Sequence, residues 1–135
     1  MKNGEFFLWR NIRSIVKQSF TDYEIVIVDE GKIAENTNAG MKRARGDIIK
    51  ILYLDDHFHS VDALRHIVDG FDDDTLWLAT GCLHQKINEK PHSAHIPKWN
   101  DKMYTGENTL GSPSVMAFRN GDHLFFDERL QWPRS

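Results

Sequence analysis

Two apolar runs that end on acids constrain this chain more than any other feature: Glu24-Ile25-Val26-Ile27-Val28-Asp29 and Asp47-Ile48-Ile49-Lys50-Ile51-Leu52-Tyr53-Leu54-Asp55-Asp56. Each is too short and too β-branched for a helix and reads as a buried strand; near-continuous apolar strands belong to parallel sheets. The stretch between them, from about Ile33 to Arg45, then carries a right-handed crossover helix. Both acidic ends would point the same way, and in open parallel sheets ligands bind beyond the carboxyl ends of the strands. Asp29, Asp55 and Asp56 are therefore expected to share one site.

The rest of the chain follows the same procedure. Glu5 to Gln18 has helical spacing, with Phe6, Trp9, Ile12, Ile15 and Val16 as its apolar stripe and Asn3 as a candidate cap. Gly31 is expected to make a left-handed turn after Asp29, and Gly46 to close the crossover helix. Ser60 caps an amphipathic helix over Val61 to Phe71, ending in Asp72-Asp73-Asp74. Thr75 to Leu83 and Ser114 to Arg119 read as third and fourth strands, the latter followed by the turn Asn120-Gly121-Asp122. Between His84 and Leu110, Pro91, Pro97 and Gly106 break any period, so loops with one short strand or helix are expected. The fold class is α/β: an open, mostly parallel, Rossmann-like sheet flanked by helices.

A length of 135 residues supports a single domain, and the 40% hydrophobic and 27% charged content is that of an ordinary globular protein. A net charge of -3 argues against a nucleic-acid partner held through phosphates, which needs clustered Lys and Arg. Lys42-Arg43-Ala44-Arg45 reads as a solvated helix end with cations at the negative pole of the dipole. Cys82 is the one cysteine, so no disulfide framework exists. No apolar run approaches the roughly 18 residues of a membrane span, and Met1-Lys2-Asn3-Gly4-Glu5 has no signal-peptide pattern, so a cytoplasmic protein is expected.

Paired carboxylates at a strand end suit a hard cation. Mg²⁺ or Mn²⁺ is held by one or two carboxylates plus substrate phosphates, and neutralises a departing diphosphate. Cys82, His84, His92 and His95 fit no tight zinc-ligand spacing. Trp77, Trp99 and Trp132 suit either a sugar platform or, more commonly, aromatic packing. No G-x-G-x-x-G or Walker A loop is present.

These residues carry a resemblance. Ser14-Ile15-Val16-Lys17-Gln18, Glu24 to Gly31, Asn38-Ala39-Gly40 and Ala44 to Asp56 are similar to the nucleotide-binding half of family 2 glycosyltransferases, inverting enzymes of GT-A fold. Gly111 to Arg119 and Phe126-Asp127-Glu128-Arg129-Leu130 resemble the acceptor-side strand and the "F-D-E-x-L" segment of that family. The resemblance implies a GT-A-like domain over 1–135, with a nucleotide-binding half at about 5–72 and an acceptor-side half at about 75–135. It implies a nucleotide-sugar donor, usually of UDP, and a carbohydrate or other hydroxyl acceptor. Asp29, Gly31, Asn38 and Asp55 would contact the nucleotide. Asp55 and Asp56 would hold the metal, with His57 as a further ligand in a second register.

Tyr53 stands where the family's first metal-motif acid would be. The family's opening strand, one wall of the nucleotide pocket, has no counterpart here. Its catalytic base falls after "F-D-E-x-L", where this chain reads Gln131 to Ser135, leaving Asp127 and Glu128 as the nearest acids. The chain thus resembles a transferase truncated at both ends. The rival expectation is an inactive remnant acting as a binding module, with an exposed sheet edge open to pairing with a second copy.

Overall fold

The computed structural model describes residues 4–121 and 123–129, so the expected cap at Asn3, the turn residue Asp122 and the segment from Leu130 onward, Trp132 included, lie outside the described residues. In chain order the elements are α1 (Gly4–Val16), α2 (Ile33–Arg43), β1 (Ile48–Lys50), α3 (Ala63–Asp69), β2 (Trp77–Ala79), β3 (Cys82–His84), β4 (His92–His95) and β5 (Met116–Arg119). Two 3₁₀ turns, Asp101–Thr105 and Pro113–Val115, precede β5. None of the described helices is long and apolar enough to cross a membrane.

The sheet is not the expected one. Strands β1, β5 and β2 form a three-stranded sheet in that order, and both pairings are antiparallel, with Ile49 opposite Phe118 and Leu78 opposite Ala117. A second, two-stranded sheet is the antiparallel hairpin β3–β4. The mostly parallel Rossmann-like, GT-A-like sheet is therefore overturned, and with it the strand–helix–strand crossover. The run Glu24 to Asp29 is the point of failure: it forms no ladder, and Ile25, Val26 and Ile27 are 41%, 36% and 61% exposed. An apolar β-branched run is a strand only when a neighbour takes its backbone N–H and C=O groups, and local pattern does not supply that neighbour. The partner of β1 is instead β5, about seventy residues downstream, through a non-local antiparallel register.

The first helix is also turned relative to expectation. Phe6, Trp9 and Val16, members of the expected core stripe, are 52%, 59% and 61% exposed, whereas Asn11 and Gln18 are buried. Asn11 and Ser14, at i and i+3 on one face of α1, and Gln18, just beyond its end, line up on one side. Their side chains satisfy backbone groups of the 53–64 segment, which a purely apolar face would leave without partners. Asn11 Nδ2 donates to the carbonyls of Tyr53 and Asp56, Gln18 Nε2 to that of Ser60, and the N–H groups of Phe58 and Leu64 donate to Ser14 Oγ and Gln18 Oε1.

The core is small. Met41 of α2 packs with Ile49 and Ile51, flanked by Tyr53, Phe118 and Phe126, while Ala117 at the sheet centre is wholly buried. The expected third strand is split: Trp77–Ala79 joins the main sheet and Cys82–His84 leaves it for the hairpin. Thr80 remains tied by its N–H to the Val115 carbonyl at 2.8 Å. After β5 the chain reverses at Gly121, whose φ of 97° is readily adopted only by glycine. Asn120 locks this turn by donating to the carbonyls of Ala44 and Gly46.

Candidate functional site

Beyond β1, which ends at Lys50, the chain runs on through Tyr53 and turns at Leu54–Asp55, so that Asp55 and Asp56 lie five and six residues past the strand. The turn is held from below by main-chain contacts. Asn11 binds the Tyr53 and Asp56 carbonyls at 3.0 Å each, Arg10 Nη2 donates to the Asp55 carbonyl at 2.7 Å, and the Asp56 N–H returns to the Tyr53 carbonyl. The Tyr53 N–H donates to Ser114 Oγ at 2.8 Å, tying the turn to the segment that enters β5. Among the described residues, neither the Asp55 nor the Asp56 carboxylate accepts a hydrogen bond or forms an ion pair.

Lys50 lies behind this turn. Its Nζ donates to the carbonyls of Ser114 and Met116. Burial lowers its pKa to about 8, against an opposing pull from Asp56. Burial also lowers His57, helped by the charges of Arg10 and His59 and opposed by Asp56, and burial together with Asp56 raises the Cys82 thiol. The negative charge of Asp56 thus reaches Lys50, His57 and Cys82. The sequence reading passed over Lys50, although a lysine inside Ile48-Ile49-Lys50-Ile51-Leu52 is itself a signal that an amine is being buried.

The other expected site residues are distributed as follows. Asp29 is exposed and begins the turn into α2, where Asn36 accepts from the Glu30 N–H and donates to the Gly31 carbonyl. Gly31 does not take the expected left-handed conformation; the positive-φ glycines are Gly106, Gly111 and Gly121. A Cβ at 31 would displace the Glu35 carboxylate that accepts from the Lys32 N–H. Asn38 is buried and its amide is fully used: Oδ1 accepts from the Phe126 N–H at 2.8 Å, and Nδ2 donates to the Phe126 carbonyl and to Glu128 Oε1. Asp127 is clamped by Arg129, which holds its carboxyl below the usual carboxylate range.

The structure therefore brings Asp55, Asp56 and His57 to one turn and joins Asn38 to Glu128. Among the described residues, no three of the His, Cys, Asp and Glu side chains are grouped to hold a metal ion. The hairpin places Cys82 opposite His95 and His84 opposite His92, but these pairs do not converge either: His95 Nε2 faces the Leu110 carbonyl and His92 Nδ1 faces Ser93. Trp77 and Trp99 lie against each other with ring centroids 5.9 Å apart.

Comparison with protein families, with characterised proteins and with solved structures finds no match to this chain.

Proposed function

We propose that this chain binds a nucleotide sugar, with UDP as its nucleotide, together with Mn²⁺ or Mg²⁺ at the Asp55–Asp56 turn, and that it serves inverting transfer of the sugar to a hydroxyl acceptor. The observation that carries the reading is the division of labour at this turn. Arg10 and Asn11 fix the main-chain oxygens, while both carboxylates remain uncommitted among the described residues. A pair of acids anchored in this way can accept a hard cation without first breaking an internal ion pair, and the cation can then carry diphosphate oxygens. The family-like sequence segments supply the identity of the nucleotide; the sheet topology supplies no support. The single Cys82 suits a cytoplasmic setting.

Calorimetric titration of UDP and UDP-sugars, with and without Mn²⁺, tests the reading. Binding should need the metal and should disappear in Asp55→Ala. Absence of metal-dependent binding in the unaltered protein would refute it.

A second reading, a binding module without turnover, has its own observation. A general base must be free to take a proton from the acceptor. The Asp127 carboxylate is engaged by Arg129 and held at low pKa, and that of Glu128 accepts from Asn38. Metal-dependent UDP binding without sugar transfer or donor hydrolysis would select this reading. The free edge of β1, which pairs only with β5 among the described strands, then offers a place for a second copy, and native mass measurement reports it.

A further inference from the structure

On the outer side of the Asp55–Asp56 turn, α1 and the 57–61 segment enclose a groove of about 320 Å³. Arg10 and Arg13 of α1 and Lys17, the residue just after it, line it at i, i+3 and i+7, and His57 and His59 line it from the segment after the turn. No carboxylate lines the groove. None of these three cations forms an ion pair with a described residue, unlike Arg43, Arg45, Lys102 and Arg129. Arg10 spends Nη2 on the Asp55 carbonyl, and its buried Nε has no partner. Arg13 lies over the Trp9 ring, with its guanidinium carbon 4.7 Å from the centroid.

Such a collection is unfavourable while empty. Like charges brought together on one helix face repel, and a buried guanidinium N–H without an acceptor forgoes a charge-assisted bond. A tetrahedral oxyanion relieves the repulsion among the three cations, since guanidinium and ammonium groups present several donors and phosphate several acceptors. The histidines add donors when protonated.

We propose that this groove is a binding site for a phosphate-bearing anion, held by Arg10, Arg13 and Lys17 on one side and by His57 and His59 on the other. It is separate from the cation site assigned to Asp55 and Asp56, because it needs donors where that site needs acceptors.

The test uses inorganic pyrophosphate and inorganic phosphate as probes in low-salt buffer without divalent metal, followed by calorimetry. Expected are saturable binding that weakens with added salt, loss of about tenfold or more in affinity in Arg13→Gln/Lys17→Gln, and retention in Asp55→Ala. Both substituted positions are exposed, and far-UV circular dichroism confirms that each variant is folded. Failure of the wild-type protein to saturate with either anion, or equal affinity in the Arg13/Lys17 variant, overturns the proposal. Vesicles of phosphatidylcholine with phosphatidylserine distinguish the source of the phosphate: sedimentation reversed by pyrophosphate assigns it to a lipid headgroup, and pyrophosphate binding without sedimentation assigns it to a free small anion.

Discussion

Asn38 and Glu128 are separated by 90 positions and joined by a hydrogen bond of 2.9 Å, the longest sequence span of any side-chain hydrogen bond among the described residues. With the two bonds between Asn38 and the Phe126 main chain, this contact fastens the segment after β5 to the helix after Asp29. Phe126 thereby reaches the Met41–Ile49–Ile51 cluster. Replacing Asn38 by Leu would leave the Phe126 N–H and C=O without their partners, at roughly 1–3 kcal/mol each where solvent does not replace them. Asn38→Leu should therefore lower stability by about 2–4 kcal/mol. Chemical denaturation measures the loss, and faster amide exchange at Phe126 assigns it to this clamp.

A second prediction concerns the buried amine of Lys50. Its folded-state pKa, about 8, lies below the ordinary 10.5. The unfolded chain therefore binds the proton more tightly, so this group makes stability increase as pH rises from about 8 toward 10.5. The full effect is on the order of 3 kcal/mol. Lys50→Met should remove that pH-dependent increment while leaving the fold intact. The difference between the two proteins in urea midpoint, followed from pH 7 to pH 10.5, is the measurement; parallel curves would contradict the assignment.

How much of this was legible in the sequence depends on whether the cause was local. The helices over 33–43 and 63–69, the strand ending in Arg119 and the turn at Asn120-Gly121 all follow from periodicity and turn chemistry within a few residues. Sheet topology was not legible, because Ile25 to Val28 and Ile48 to Leu52 are nearly the same word, and only the latter finds a partner in Met116–Arg119. The orientation of α1 was misread because apolar residues were counted and polar ones were not. The stripe Asn11, Ser14, Gln18 marks the buried face, since what α1 covers is a turn rich in exposed carbonyls and N–H groups.

That inversion of α1 gives a third prediction. Trp9→Ser should change stability by no more than about 0.5 kcal/mol, because its ring already faces solvent. Ile49→Ala, in the core cluster, should cost about 2–4 kcal/mol. Thermal melts of the two variants decide between the observed helix orientation and the one expected from the apolar stripe, in which Trp9 would be as costly to remove as Ile49.

The Asp127–Arg129 pair supplies a prediction in acid. Arg129 donates to both carboxylate oxygens of Asp127 and its own main-chain N–H donates to one of them, which together depress the acid's pKa. In Arg129→Ala the principal cause, the guanidinium bond, is gone, and carbon-detected NMR titration should move the Asp127 midpoint upward toward the ordinary aspartate value.

Asn11 makes the last prediction, which links the fold to the proposed cation site. Its amide donates to Tyr53 and Asp56 at once, so it sets the distance between the end of β1 and the acid pair. Asn11→Ala deletes both bonds from a buried position and should destabilise the protein by about 1–3 kcal/mol. It should also loosen the turn while leaving both carboxylates chemically intact. If Asp55 and Asp56 bind Mn²⁺ because they are held in place, Asn11→Ala will weaken the metal-dependent binding of UDP under conditions where the protein is still fully folded. If affinity is unchanged, holding the turn is a matter of stability alone. Calorimetry at a temperature well below the variant's melting transition, beside amide exchange at Asp55 and Asp56, separates the two outcomes.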